Sequence, residues 1–365
     1  MDMWTPILFV VGVAALLVGA EALVRGAAAL ATRTGLSPVV IGLTVVAFGT
    51  SAPELAVSVG AAVRDEADLA VGNVVGSNIA NILLVLGLSA IAGAGLVVAQ
   101  RIVRIDVPIM IAVSIGVFLF ALDGELQRWE GLVFVVGLVT YVAWTVVAAT
   151  RSPKAEIEAE YDEALSTERL RASSPIVDVG YVLAGLVLLV VGSSALVESA
   201  TDIAAELGVS ELVIGLTVVA VGTSLPEIAT SVLDAARGQR DLAVGNAVGS
   251  NLFNILAVLG LTATVSRASI PIPDGALTLD LPVMIAVAIA CLPIFWNGYR
   301  LQRWEGYFFL AYYLAYVAWL VLDSGEHDIR NQFAATMVAF VIPMTVVTFV
   351  VIGVREHRHG RSTAG

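Results

Sequence analysis

Two short polar segments carry the residue types that could bind a cation within an otherwise apolar chain. Residues 49–54 read GTSAPE and residues 222–227 read GTSLPE. Each segment offers a carboxylate and two hydroxyls, together with a proline that lacks an N–H and crowds the carbonyl four residues earlier. Carbonyls freed in this way inside a membrane need a partner that lipid cannot supply. The pattern therefore predicts a helix that is opened around a bound cation.

A second polar cluster follows each of these segments. The clusters consist of Asn73, Ser77, Asn78 and Asn81, and of Asn246, Ser250, Asn251 and Asn254. Residues four apart share one helix face, which predicts that Ser77 lies beside Asn81. Carboxylate, hydroxyl, amide and backbone oxygens, without imidazole or thiolate, favour Na⁺ or Ca²⁺ over a transition metal. Asn78 and Asn251 point about 100° away from the neighbouring serines, so they either join the ion site or bond between helices.

Glu54 and Glu227 have an alternative interpretation as packing contacts, paired either with an arginine or with each other's hydroxyl neighbours. No Lys or Arg lies at the same depth in their own helix or in its repeat. Ionisable residues inside a membrane usually mark a functional site, which favours ion binding. Asp106 and Asp280 each stand two residues before a proline at the mouth of an apolar run, and we interpret them as helix caps.

The segments that position these residues are predicted to be membrane-spanning helices. The chain is 58% hydrophobic and only 14% charged, with a mean hydropathy of +0.92, which excludes a soluble domain. Runs of roughly 17 to 25 apolar residues recur along the chain and are long enough to span a bilayer. Eleven spans are predicted, near 6–31, 36–62, 70–92, 105–122, 129–150, 177–202, 210–236, 243–265, 281–298, 303–322 and 332–354.

The two halves of the chain are repeats of each other. Residues 42–90 align without a gap on residues 215–263, with 34 identities in 49 pairs. Each half then contains five helices, and because five is odd the second half enters the membrane from the opposite face. The predicted fold is all-α and integral to the membrane, with two inverted five-helix repeats and one extra C-terminal helix. Its regions are a first repeat at 1–150, an acidic linker at 151–175, a second repeat at 176–325, and an added helix with a basic tail at 326–365.

Basic residues predict the orientation, because short cytoplasmic loops are rich in Lys and Arg. Alternate loops divide them unequally between the two sides of the membrane. One side holds Arg33, Arg101, Arg104, Arg151, Lys154, Arg169, Arg171, Arg237, Arg240, Arg300, Arg303, Arg355, Arg358 and Arg361, whereas the other holds Arg64, Arg128, Arg267 and Arg330. The N-terminus is therefore predicted to lie outside and the C-terminus in the cytoplasm, with the linker also cytoplasmic.

The duplicated motifs resemble a known family. GTSAPE with GNVVGSNIAN, repeated as GTSLPE with GNAVGSNLFN, is similar to the two α-repeats of the calcium:cation antiporter superfamily, and most similar to its prokaryotic sodium/calcium exchangers. The resemblance implies antiport of Ca²⁺ against Na⁺ by alternating access, at sites between the second, third, seventh and eighth helices. The ligands it implies are Ala47, Thr50, Ser51, Glu54, Ser77 and Asn81, then Ala220, Thr223, Ser224, Glu227 and Ser250. Asn254 stands where the family often has aspartate, and it is included with them.

Other functions remain open at this point. A Ca²⁺/H⁺ antiporter of the same superfamily is the main alternative, because the glutamates could load protons, and a cation channel is a further one. An intramembrane enzyme is disfavoured, since the three histidines lie outside the spans and no H-E-x-x-H motif is present. The expected partners are Ca²⁺, Na⁺ and the bilayer, with no cofactor and no nucleic acid.

Overall fold

The structure is a computed structural model that describes residues 4–33, 47–151, 174–238, 240–296 and 298–324, and the described chain is almost entirely helical. We number the helices in chain order and count consecutive α-helical and π-helical stretches without a break as one helix. They are α1 Trp4–Arg33, α2 Ala47–Thr50, α3 Ala52–Val63, α4 Ala67–Ala92, α5 Ile102–Asp123, α6 Arg128–Arg151, α7 Pro175–Leu207, α8 Glu211–Thr223, α9 Leu225–Arg237, α10 Arg240–Val265, α11 Ala276–Trp296 and α12 Arg303–Ser324.

Most of the predicted membrane spans are confirmed. Eight described helices are long and apolar enough to cross a membrane, and α8 with α9 adds a ninth span that is bent by 50°. The predicted span at 36–62 falls partly outside the described residues, and only its second part, α2 and α3, is seen. The predicted eleventh span and the acidic linker lie outside them altogether. The chain is a multi-pass membrane protein.

The two longest helices, α1 and α7, pack along each other in antiparallel fashion. A methyl group at Gly12 would lie 3.1 Å from Gly192 O, and one at Gly19 would lie 3.1 Å from Gly185 O. The contact position therefore moves back along α7 by seven residues as it moves forward by seven along α1. Helix backbones can approach this closely only where side chains are absent, which is why small residues line helix interfaces in membranes.

Contacts between the halves are reciprocal. Gly87 of α4 packs against Gly306 O at 3.1 Å, and Gly131 of α6 packs against Gly260 O at 2.7 Å, each distance being measured to an added methyl group. In the repeat alignment Gly87 corresponds to Gly260, and Gly131 and Gly306 each end the string LQRWEG, which occurs once in each half. Exchanging the two halves therefore reproduces the same contact. Together with the antiparallel α1 and α7, this agrees with a two-fold axis across the helices, as an inverted repeat predicts.

Two short antiparallel ladders also join the halves. Strand β1 (Leu96–Val97) pairs with β4 (Arg300–Leu301), and β2 (Glu125–Leu126) pairs with β3 (Ile270–Pro271). Because α5 runs from β1 to β2, the ladders lie at opposite ends of the bundle. Each pair satisfies backbone groups in the connections outside the helices.

The capping predicted for Asp106 and Asp280 is wrong. Both residues lie inside continuous helices, each at the end of a π-helical turn, and Asp106 makes no capping bond. Asp106 instead accepts a hydrogen bond from Tyr141 Oη at 3.1 Å, and Asp280 accepts one from Tyr316 Oη at 2.8 Å. These equivalent bonds tie α5 to α6 and α11 to α12. A tertiary partner thus replaces the local cap that the following proline suggested.

Candidate ion-binding site

Both polar motifs break their helices at the same place. Helix α2 ends at Thr50 and α3 begins at Ala52, while α8 ends at Thr223 and α9 begins at Leu225. The intervening serines have nearly identical backbone angles, φ −85° and ψ 6° at Ser51, and φ −85° and ψ 10° at Ser224. The opening predicted from the prolines is present, centred on the serine two residues before each proline.

At the two breaks, α2 and α8 end and α3 and α9 begin close to Glu54 and Glu227. Glu54 and Glu227 lie in the first turns of α3 and α9, whereas Thr50 and Thr223 are the last residues of α2 and α8. The C-terminal end of a helix carries partial negative charge and unpaired carbonyls, so the ends of α2 and α8 favour a cation. The same arrangement occurs where broken helices of transporters bind ions.

The neighbouring helices α4 and α10 change their winding beside the breaks. Helix α4 forms a π-helical turn over Asn81–Val85, and α10 forms one over Asn254–Leu259. Each turn starts at the last asparagine of its polar cluster. Such π-turns inside α-helices are frequent at functional sites, because the wider turn alters side-chain direction and loosens the backbone bonds.

The structure brings Glu54 and Glu227 together from the two halves. Ser224 Oγ donates to Glu54 Oε1 at 2.9 Å, which links the first glutamate to the break of the second half. Ser224 stands only three residues before Glu227, so this bond places both carboxylates in the same region. Both carboxylates have 0% relative exposure. Neither forms an ion pair with a described basic residue, so pairing with an arginine finds no support. The bond from Ser224 to Glu54 is the pairing with a hydroxyl of the other motif that the packing interpretation also allowed.

Many oxygens in this region are buried without a hydrogen-bond partner among the described residues. They are Ser51 Oγ, Glu54 Oε2, Asn81 Oδ1, both carboxylate oxygens of Glu227, and Asn254 Oδ1. Native proteins pair nearly all buried polar groups, and an unpaired one costs about 1–3 kcal/mol. Oxygens from hydroxyl, amide and carboxylate groups are the ligand set of a hard cation. The arrangement can therefore hold such an ion between the two halves.

The remaining predicted ligands occupy the walls of the same region. Ser77 Oγ donates to Ala220 O at 3.5 Å, which joins α4 to α8. Ser250 is 4% exposed and Thr50 is half-buried. The backbone of Ala47 begins α2, but its side chain is outside the described set.

Asn73 and Thr223 meet across the two halves. Thr223 Oγ1 donates to Asn73 Oδ1 at 3.0 Å, and Asn73 Nδ2 donates to Glu54 O at 3.2 Å. Asn73 Nδ2 also donates to Ser58 Oγ at 2.9 Å. Sequence reasoning did not identify Ser58 or its counterpart Ser231. The available signal was their identity at equivalent positions of the repeat.

Asn78 and Asn251 bond to backbone carbonyls through their amide nitrogens, while their amide oxygens are buried without a partner among the described residues. Asn251 Nδ2 donates to Asn78 O at 3.1 Å, and Asn78 Nδ2 donates to Val74 O at 2.7 Å. The first of these bonds joins α10 to α4. Bonding between helices, one of the two alternatives considered for these residues, therefore describes Asn251.

No resident metal centre is found in the described part of the chain. It contains no group of three or more His, Cys, Asp and Glu side chains arranged to hold a metal. The region around Glu54 and Glu227 has two carboxylates and otherwise neutral oxygens.

The chain is similar to known exchangers over most of its length. Residues 4–147 and 177–322 match the family described as "Sodium/calcium exchanger protein". The putative antiporter CaxA of Alkalimonas amylolytica is 38% identical over 288 residues, which cover 77% of this chain and 87% of the relative. The sodium/calcium exchanger MaX1 of Methanosarcina acetivorans is 31% identical over 314 residues, which cover 78% and 89%.

Solved structures show the same fold. The sodium-calcium exchanger NCX_Mj is 28% identical with a TM-score of 0.60, and the match covers 87% of this chain and 99% of that structure. The broken helices and paired glutamates described above lie inside the matched residues. With both repeats matched in this way, the chain belongs to the sodium/calcium exchanger family.

Proposed function

We propose that this protein exchanges Ca²⁺ for Na⁺ across the membrane by alternating access. The observation that carries the proposal is the full burial of Glu54 and Glu227 at two helix breaks, which the bond from Ser224 to Glu54 joins across the halves. A charge costs several kcal/mol at the centre of a bilayer unless it has a partner. A transported cation supplies that partner for both carboxylates.

The ion ligands in this proposal come equally from the two halves. They are Ala47, Thr50, Ser51, Glu54, Ser77 and Asn81 from the first half, and Ala220, Thr223, Ser224, Glu227, Ser250 and Asn254 from the second. The two alanines offer only backbone oxygens. Support comes from the unpaired oxygens of Ser51, Asn81 and Asn254 beside the glutamates.

Charge balance couples the two ions. With both glutamates ionised the site carries −2, which one Ca²⁺ neutralises. Two or three Na⁺ can occupy the same oxygens, but not together with Ca²⁺, so each ion must leave before the other binds. If three Na⁺ exchange for one Ca²⁺, one net charge crosses per cycle and the membrane potential contributes about 2.3 kcal/mol per 100 mV.

Exchange of Ca²⁺ for protons is the second candidate. It is possible because Glu54 and Glu227 are carboxyl groups, which can bind a proton in place of Na⁺. The names of the relatives MaX1 and NCX_Mj favour Na⁺. A channel is disfavoured by the full burial of both carboxylates.

The test is ⁴⁵Ca²⁺ uptake into proteoliposomes that contain the purified protein. Gradients of Na⁺, K⁺ or pH are imposed separately, with the membrane potential clamped. The proposal predicts that only an outward Na⁺ gradient drives concentrative uptake. Uptake that follows the pH gradient alone supports the proton antiporter, and uptake that never exceeds electrochemical equilibrium supports a channel.

A further inference from the structure

Asn73 is a buried amide that borders the proposed ion site without belonging to its ligand set. It stands on α4 four residues before Ser77 and eight before Asn81, so the three side chains follow one face of the helix. All three have 0% relative exposure. Asn73 therefore extends by one turn the row that already supplies two proposed ligands.

The amide nitrogen of Asn73 is held by α3. It donates to Glu54 O at 3.2 Å and to Ser58 Oγ at 2.9 Å. Ser58 Oγ in turn donates to Ala70 O at 3.5 Å, which leaves its lone pairs free to accept from Asn73. The opposite orientation of the amide would set its oxygen against Glu54 O, and neither atom carries a hydrogen. These contacts therefore fix which end of the amide is the oxygen.

The second half repeats this anchor. Asn246 Nδ2 donates to Ser231 Oγ at 2.9 Å, the same distance as between Asn73 and Ser58, and it also donates to Thr230 Oγ1 at 3.1 Å. In both halves the amide nitrogen is thus held by the broken helix of its own half. The anchor is a feature of the repeated motif and does not depend on one packing environment.

The amide oxygen of Asn73 is thereby directed towards the end of α8. It lies 3.0 Å from Thr223 Oγ1, the hydroxyl of the last residue of that helix and a proposed ligand. The next residue, Ser224, donates to Glu54 Oε1 at 2.9 Å. Neighbouring oxygens that bind one Ca²⁺ at about 2.3–2.6 Å lie roughly 3–3.7 Å apart. Asn73 Oδ1 and Thr223 Oγ1 are therefore spaced as two ligands of one ion are.

The hydrogen of Thr223 does not have to lie between these two oxygens. A hydroxyl has one hydrogen and two lone pairs, and Thr223 has two further acceptors, Val219 O at 3.1 Å and Ala220 O at 3.3 Å. When Thr223 donates to either backbone carbonyl, its lone pairs face those of Asn73 Oδ1. Two such oxygens repel each other, and a cation beside both replaces the repulsion by attraction.

From this geometry we infer that Asn73 is a further ion ligand, whose amide oxygen coordinates the same cation as Thr223. Binding of the cation moves the Thr223 hydrogen to a backbone carbonyl of α8, while both bonds of Asn73 Nδ2 stay in place. The inference deepens the proposed exchange, and it rests on that proposal for the identity of the ion and for Thr223 as a ligand.

The experiment measures ion binding to the purified protein in detergent. Ca²⁺ is titrated by isothermal calorimetry into the parent, Asn73→Leu and Asn73→Asp, and Na⁺ affinity is obtained by competition with Ca²⁺. Leucine has nearly the shape of asparagine but no oxygen, whereas aspartate keeps an oxygen at the same branch point. The unfolding midpoint without ions is measured for each protein, because a purely structural role would lower that midpoint and leave the dissociation constants unchanged.

We expect the two substitutions at Asn73 to differ. A polar contact to a charged group changes an affinity by about tenfold to a hundredfold. Asn73→Leu should therefore weaken Ca²⁺ binding by about that factor, and Asn73→Asp should bind Ca²⁺ more tightly than Asn73→Leu does. A dissociation constant for Asn73→Leu equal to the parent's, or equal values for the two variants, would overturn the inference.

Ser58→Ala tests the same inference in a variant that keeps the amide oxygen. Losing one net hydrogen bond lets the Asn73 amide rotate, so Ca²⁺ binding should weaken by about threefold to tenfold. The matched control is Ser114→Ala on α5, which also removes a buried serine bond, to Met110 O at 2.7 Å, and should bind Ca²⁺ as the parent does. Equal dissociation constants for the two serine variants would overturn the inference even where Asn73→Leu does not fold.

The outcome is separable from that of the proposed exchange, because binding requires no transport. A parent that binds Ca²⁺ without competition from Na⁺, and loses affinity in Asn73→Leu, would reject the proposed exchange and keep Asn73 as a Ca²⁺ ligand. A parent in which the two ions compete, with unchanged affinities in Asn73→Leu, would keep the exchange and reject the ligand.

Discussion

At the scale of single residues, the proposed exchange depends on two buried carboxylates, Glu54 and Glu227, which come from separate halves of the chain. Glu54 accepts a hydrogen bond from Ser224 of the other half, and Glu227 stands three residues after that serine. Removing either charge while keeping the side-chain volume leaves the site at −1, which cannot neutralise Ca²⁺. The packing of the surrounding helices should be little changed, since glutamine is nearly isosteric with glutamate.

We therefore expect Glu54→Gln and Glu227→Gln each to reduce Na⁺-driven Ca²⁺ uptake to the level of empty liposomes. The matched control is Asp241→Asn, which removes a carboxylate from an exposed position on α10. All three variants should elute from size-exclusion chromatography as the parent does. Uptake at the parent rate in either glutamine variant would show that the substituted glutamate is not an essential ion ligand.

Asn254 offers a second test at this scale. We expect Asn254→Asp to retain Ca²⁺ exchange and to gain a pH dependence beyond that of the parent, because a carboxyl can bind a proton whereas an amide cannot. Glu54 and Glu227 are present in both proteins, so any pH dependence that they confer is shared. The flux is compared with the parent's across roughly pH 6 to 9, with Asn81→Asp as the equivalent variant of the first half. Superimposable pH profiles for the parent and Asn254→Asp would show that Asn254 is a packing residue and not an ion ligand.

The sequence predicted the residues whose chemistry is local and missed those whose role depends on a distant partner. A proline and a carboxylate within one turn were enough to predict that both helices open within these motifs, but the position of the breaks at Ser51 and Ser224 comes from the structure. The bond between Asn73 and Thr223 joins residues 150 positions apart, so no local pattern indicates it. Asp106 was assigned to a cap for the same reason, because its partner Tyr141 lies on another helix.

At the scale of helices, close backbone contacts hold α4 against the broken α8. An added methyl group at Gly76 would lie 2.7 Å from Leu216 Cα and 2.8 Å from Ala220 Cβ. Both are shorter than ordinary van der Waals contact. The position of Ala220, next to the second break, thus depends on the absence of a side chain at Gly76.

Gly76→Ala should lower the free energy of unfolding by about 1–3 kcal/mol, as overpacking of a tight contact does. The control is Gly180→Ala on α7, where no heavy atom of the described chain lies within 4 Å of the added methyl group. That change should be neutral or stabilising by about 0.5–1 kcal/mol, because alanine favours helix. Thermal unfolding in detergent measures both, and equal midpoints for the two variants would contradict the contact.

The repeat at the sequence level also explains which helix features could be foreseen. The sequence identity between residues 42–90 and 215–263 predicts that the helices of both halves have irregularities at equivalent positions. Accordingly, the π-helical turns of α4 and α10 begin at aligned asparagines. The π-turns themselves were not predicted. They depend on how α4 and α10 pack against the broken helices, which hydrophobic periodicity does not encode.

At the scale of the whole molecule, the remaining question is how the two halves sit in the membrane. The repeat and the arginine distribution predict that equivalent loops face opposite sides. Arg64 and Arg237 are such a pair, and both are exposed beside the ends of α3 and α9. Their positions allow orientation and inversion to be tested together.

In a Cys291→Ser background, Arg64→Cys should react with an impermeant thiol reagent only from outside the cell, and Arg237→Cys only from the cytoplasmic side. Reaction of both from one side would contradict the inverted repeat. Glu160→Cys and Arg361→Cys should both react from the cytoplasmic side. Reaction of those two from opposite sides would mean that the predicted eleventh helix does not span.

If Ca²⁺ and Na⁺ bind to one site in turn, the entry of one ion must be matched by the exit of the other, and measuring both fluxes in the same vesicles tests this. Proteoliposomes loaded with ²²Na⁺ are given external ⁴⁵Ca²⁺, and both fluxes are followed in the same vesicles with the potential clamped. The account predicts that Ca²⁺ entry and Na⁺ exit start together at a fixed ratio, and that Glu227→Gln abolishes both. Ca²⁺ entry without matching Na⁺ exit, or Na⁺ exit that persists in Glu227→Gln, would contradict it.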